Sequence, residues 1–124
     1  MFRKIRLLTF ALIMNTLPSL AQSGLVFDRP TWDFGTIRET DGPVTHRFVC
    51  RNEGEHPEVI LQVTTTCGCT TPRYTRKPIL PGEETEITVT YDPANRPGNF
   101  SRELAVFTAD RRIAAKLRIT GSVI

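Results

Sequence analysis

The sequence predicts an all-β chain, an immunoglobulin-like β-sandwich of about seven strands, and three observations carry that expectation. Beyond residue 24 apolar residues recur with period two, the spacing of strands that bury one face. No window of helical length sets them three and four apart, so no amphipathic helix is expected. Clusters of Gly, Pro, Asn and Asp interrupt the runs at about eight- to twelve-residue intervals, the punctuation of a two-sheet sandwich. A small closed barrel is the main alternative, because strand count does not separate the two.

The first 21 residues, MFRKIRLLTFALIMNTLPSLA, read differently from the rest. Arg3, Lys4 and Arg6 precede an apolar run from Leu7 to Met14, and Ser19 and Ala21 are spaced as small residues before a cleavage point. This is the pattern of a signal peptide cut after Ala21, which predicts export to the periplasm or beyond the cell. A membrane anchor needs roughly 20 continuous apolar residues, and Asn15, Thr16 and Pro18 interrupt this run. No transmembrane segment is expected in the mature chain, and one domain is expected over residues 22–124. Of 16 basic residues three lie in the leader, leaving 13 against 13 acidic ones. The neutral balance gives no support to a nucleic-acid partner or an anionic membrane surface.

The strands follow in order. LVFD and TWDFGTI form a short pair bent at Pro30; proline cannot donate to a ladder, which suits an edge or a strand that changes sheets. Trp32 and Phe34 alternate with Asp33 and are expected to send two rings toward the core. VTHRFVCRN sets Val44, His46, Phe48, Cys50 and Asn52 on one face. EVILQVTTT and SRELAVFTA carry apolar residues in succession, as strands covered on both faces do. TEITVTY points Ile87, Val89 and Tyr91 one way, and IAAKLRITGSV points Ile113, Ala115, Leu117 and Ile119 one way. Between them lie ETDGP, NEGEHP, PGEE, DPANRPGN and ADRR, all rich in turn formers. Pro81 and Gly82 suit the centre of a type II turn.

Several phrases in one order, WDFGTI, GPVTHRFVCRNEG, TTTCGCTTP and PILPGEETEITVTYDPANRPGNF, resemble the DUF1573 family of exported bacterial proteins common in Bacteroidetes. The resemblance covers most of residues 27–121. It implies a single immunoglobulin-like domain related to the PapD, major sperm protein and ASH/Hydin group, and it implies an exported location more than a molecular task. The family usually has a large apolar residue where this chain has Cys50, which implies a core place for that cysteine.

Catalysis would require a nucleophile with a base or a pair of carboxylates in a cleft. The two histidines are His46, in a strand, and His56, in the turn EGEHPE, and no local signature surrounds a Cys67 nucleophile with His46 as its base. The chain is expected not to be an enzyme. The best candidate site is TTTCGCTTP, with Cys67 and Cys69 either side of Gly68 and Cys50 the third cysteine. Two thiols two residues apart could hold a soft cation such as Cu(I); tetrahedral zinc needs four ligands at wider spacing. No cofactor is otherwise implied. In an oxidising compartment three pairings are open, Cys67 with Cys69 or Cys50 with either. The plain reading is structural: the segment ends one strand and turns toward the next, Gly68 supplying backbone freedom. Arg96 lies exposed in the long loop after Tyr91, which would act as a ligand loop only if something were poised in it. Two functions remain, a non-enzymatic envelope module that binds a protein through a sheet edge, and a thiol-dependent metal or redox protein.

Overall fold

The computed structural model describes residues 24–124, so the expected signal peptide lies outside the described residues. Eight strands form two four-stranded sheets: β1 (Leu25–Phe27), β2 (Thr31–Ile37), β3 (Val44–Asn52), β4 (Ile60–Thr65), β5 (Thr70–Arg73), β6 (Glu84–Tyr91), β7 (Gly98–Thr108) and β8 (Ile113–Val123). One sheet has the order β1-β3-β6-β5 and the other β2-β8-β7-β4. Two separate sheets with four edges make a sandwich rather than a closed barrel. The chain changes sheets at Pro30, between β1 and β2, as its bend predicts. It changes at every later step except β5 to β6 and β7 to β8, so β4 to β5 is also a crossing.

The core forms where the alternating faces meet. Phe48, Ile87, Val89 and Tyr91 come from one sheet, Leu104, Val106, Leu117 and Ile119 from the other, and each is at most 1% exposed. Each such side chain contributes about 1.5–3 kcal/mol through burial. The alternation expected for β3 and β6 holds, with Phe48, Cys50 and Asn52 buried and Ile87, Val89 and Tyr91 buried. β8 departs from expectation at its start, where Ile113 is 51% exposed. A register shift between Val106 and Phe107 of β7 offsets the pairing there, so Ile113 lies off the inner face that Leu117 and Ile119 occupy.

The eighth strand is β5, which the sequence reading treats as part of a turn. It is four residues long and contains Pro72, paired opposite Val89 of β6. Asp92 N–H donates to the Cys69 carbonyl at 2.8 Å, and by antiparallel alternation Pro72 then turns its nitrogen away from β6. An edge strand tolerates proline in that orientation. The turn before β6 forms as predicted: Glu83 N–H donates to the Leu80 carbonyl at 2.9 Å, and Gly82 at φ 87° takes the left-handed position.

Asn52 ends β3 with no exposure and ties the turn of residues 53–57 to the segment before β6. Its Nδ2 donates to the carbonyls of His56 and Ile79, both at 2.8 Å. Its Oδ1 accepts from Gly54 N–H at 2.9 Å.

Candidate functional site at the sheet-crossing corner

Thr66 to Cys69 carry the chain from β4, the edge of one sheet, to β5, the edge of the other. Cys67 and Cys69 form a disulfide with Cα atoms 5.1 Å apart, an ordinary separation for such a bond. Thr70 N–H donates to the Cys67 carbonyl at 3.2 Å, and Cys69 N–H points at Cys67 Sγ at 3.2 Å. Cys69 is 4% exposed, with the Thr70 hydroxyl 3.5 Å from its sulfur, whereas Cys67 is half-buried. So short a loop removes little chain entropy, about 1.5 kcal/mol on the loop-closure relation. The bond therefore holds a corner that the strands on either side already define.

Gly68 does not have the role expected of it. Its φ lies outside the left-handed region, and a Cβ built there would meet nothing within 4 Å. The folded backbone therefore does not require glycine at this position.

Cys50 stands apart from the pair. It is 1% exposed, and burial pushes its thiol up to about 11, partly offset by a backbone hydrogen bond from Thr85. Its neighbour on β6 is Thr85, whereas the residue after Cys69 pairs with Tyr91. Six residues along a strand span about 20 Å, far beyond the roughly 7 Å that a disulfide can bridge. Both pairings of Cys50 are thereby excluded, and it packs as a small core residue.

A bridged pair carries no thiolate, the form that binds a soft cation. With Cys50 out of reach, the Cu(I) or zinc reading of Cys67 and Cys69 finds no third sulfur. Among the described residues no three His, Cys, Asp or Glu side chains are grouped to hold a metal ion.

His46 and Cys67 line different clefts, so the structure does not bring them together. The His46 ring stacks on Trp32, with centroids 4.1 Å apart and planes 7° apart. It also meets Phe48 edge-on at 4.7 Å. These two ring contacts hold His46 in place. Burial lowers its pKa below 6.5. A folded-state value below the unfolded one means the unfolded chain binds the proton more readily. Stability is then fully present above pH 6.5 and declines as pH falls from there toward the folded-state value. The thermal midpoint should drop between about pH 7.5 and 5.5 more steeply in the native protein than in His46→Phe. Parallel slopes in the two proteins would remove His46 as a source of the pH dependence. His56 is exposed in its turn, as expected.

The corner opens onto a cleft of about 620 Å³ lined by Cys67, Arg96, Arg102, Glu103 and Arg118. Arg96 is exposed in the loop of residues 92–97. That loop is shaped by Asn95, whose φ is 60° and whose N–H donates to Glu39 Oε2 at 2.7 Å. Arg118 donates to Ser101 Oγ at 2.6 Å and to Glu103 Oε1 at 3.4 Å. Lys116 also reaches Glu103, at 3.8 Å. Arg102 donates through Nη1 to the Ser101 carbonyl at 3.1 Å, and its Nε is buried with no hydrogen-bond partner among the described residues. Sequence reasoning found Cys67 and Arg96 but not Arg102 or Arg118. A signal for Arg102 was present: it occupies an inward position of β7, between buried Phe100 and Leu104.

The four sheet edges differ in what they leave open. On β4, Val63 N–H donates to the Tyr74 hydroxyl at 3.3 Å and the Leu61 carbonyl accepts from Arg76 at 3.4 Å. β5 turns outward one nitrogen that has no hydrogen, that of Pro72, and the Thr70 N–H already bonded to Cys67. β1 has three residues. β2 has seven and pairs in parallel with β8. Arg118 N–H donates to the Pro30 carbonyl at 2.9 Å, so Thr31 and Asp33 turn their backbone groups away from β8. Both residues are exposed.

The family described as "Protein of unknown function (DUF1573)" matches residues 25–123 of the chain. A protein of unknown function from Porphyromonas gingivalis W83 superposes with a TM-score of 0.68 at 19% identity, over 86% of this chain and 50% of that one. The ASH/PapD-like domain 7 of human CEP192 gives 0.69 at 8% identity, over 88% and 91%. The VesB protease of Vibrio cholerae gives 0.66 at 17% identity, over 80% and 32%. Identities this low show a shared fold alone. The chain spans half the length of the P. gingivalis protein and about a third of the protease. No curated protein matches it.

Proposed function

The chain belongs to the DUF1573 family, and on that premise we propose that it is a non-enzymatic module of the cell envelope that binds a protein partner by taking an extended segment onto β2. The PapD-like sandwich fits such a module. The observation that carries the reading is the contrast among edges: β4 is covered by Tyr74 and Arg76, whereas no described residue hydrogen-bonds the outward backbone groups of Thr31 and Asp33. A partner strand gains affinity from such main-chain groups and specificity from alternate side chains. The turn at Gly35, with φ 73°, and the register shift between Asp33 and Thr36 confine the open run to the first half of β2. The partner segment is therefore short.

Export to the periplasm or beyond is part of the same proposal. It is supported by the leader-like composition of residues 1–21, and a disulfide persists in an oxidising compartment.

The edge is tested by Thr31→Pro, which removes an outward N–H and leaves the ladder to β8 intact. Pull-down from envelope extracts should enrich a partner with the native protein and lose it with Thr31→Pro at unchanged thermal midpoint. Equal capture by both proteins, or no enrichment over a scrambled control, overturns the reading.

A further inference from the structure

The geometry points to the Cys67–Cys69 disulfide as a thiol-exchange site for small thiols that carry carboxylates, a role separate from strand binding at β2. Its two sulfurs are unequally placed. Cys67 is half-buried and lines the cleft, while Cys69 is 4% exposed. An incoming thiolate therefore reaches Cys67 Sγ and displaces Cys69 Sγ.

The same cleft selects by charge. Glu103 is shared by Arg118 and Lys116, and no described carboxylate pairs with Arg96 or Arg102. Two guanidinium groups without a carboxylate thus stand beside the disulfide, and the buried Nε of Arg102 has no hydrogen-bond acceptor among the described residues. A thiol bearing carboxylates would be drawn into such a cleft and its carboxylates held there by charge-assisted hydrogen bonds.

The exchange balances. The thiolate sulfur forms a bond to Cys67 Sγ, the bond between Cys67 and Cys69 breaks, and its electron pair leaves on Cys69 Sγ, which takes a proton from solvent. A second thiolate attacks the small-molecule sulfur of the mixed disulfide. Cys67 thiolate leaves, and two thiols have become one disulfide while the protein has become a dithiol. The Cys69 N–H that points at Cys67 Sγ at 3.2 Å favours negative charge on that sulfur, as neighbouring arginines do. Cys67 is thus also the sulfur from which the reverse reaction starts.

The test compares glutathione with its diethyl ester, the same thiol without free carboxylates, at equal thiolate concentration, with disulfide opening followed by intact mass. Glutathione should react about tenfold faster or more. That ratio should fall toward one in about 1 M salt, where the screening length is about 3 Å, and in Arg96→Gln and Arg102→Gln. With oxidised glutathione, Cys69→Ser should form a mixed disulfide at Cys67 much faster than Cys67→Ser forms one at Cys69. Buried Cys50 should stay unmodified in the folded protein. The salt experiment needs no variant, so a misfolded substitution does not protect the proposal. Equal rates for the two thiols, a ratio that neither salt nor variants change, or a disulfide that stays closed to both would overturn it.

Discussion

Asn52→Ala should destabilise the protein by about 2 kcal/mol. The substitution strands the His56 carbonyl and the Gly54 N–H, both part-buried, while the Ile79 carbonyl loses one of two donors and keeps Glu58 N–H at 3.0 Å. Each buried polar group left without a partner costs about 1–3 kcal/mol. A loss of that size lowers the thermal midpoint of a domain of this length by about 8 °C or more. Asn52→Asp should be no better, because it keeps the acceptor, loses both donors and sets a charge against two carbonyls. Glu55→Ala, an exposed change in the same turn, should stay within about 0.5 kcal/mol. A native midpoint for Asn52→Ala in thermal denaturation would mean that the turn of residues 53–57 holds without it.

Tyr91 gives the second large effect and a contrast within one site. The ring has no exposure and stacks on Phe100, with centroids 3.9 Å apart. Tyr91→Ala should cost about 3–5 kcal/mol by opening a cavity between the sheets, with the lost aromatic pair adding to it. The hydroxyl, however, is buried with no hydrogen-bond partner among the described residues. Tyr91→Phe removes that group and keeps the ring, so it should be neutral or slightly stabilising. Urea denaturation of the three proteins should therefore rank Tyr91→Phe with or above the native protein and Tyr91→Ala far below both. A loss above about 1 kcal/mol for Tyr91→Phe would show that the hydroxyl is bonded in solution. Because Asp92 N–H holds the Cys69 carbonyl, Tyr91→Ala should also loosen the corner that carries the disulfide.

The candidate site was legible in part. Cys67, Cys69 and Arg96 stand out in the sequence by type and by the turns around them. Which cysteines pair did not follow from spacing, because three pairings satisfy the composition. The register of β3 and β5 on β6 separates Cys50 from the other two, and register is set by the whole sheet. Arg102 and Arg118 were missed because neither strand shows by itself which side chains meet; the register of β7 on β8 puts Glu103 opposite Arg118, and both arginines line one cleft. β5 was missed for the opposite reason: four residues with a proline give no period to read.

From the sequence alone came the all-β class, the inward faces of β3 and β6, the bend at Pro30 and the type II turn at Pro81 and Gly82. These are local properties, because side-chain alternation and the backbone limits of proline and glycine act within a few residues. The tertiary structure alone decided that β2 is the open edge, that Cys50 stays free, and that a half-exposed disulfide shares a cleft with three arginines. Each of those depends on which strands lie side by side and in what register, and that is settled by the packing of two inner faces rather than by any one segment.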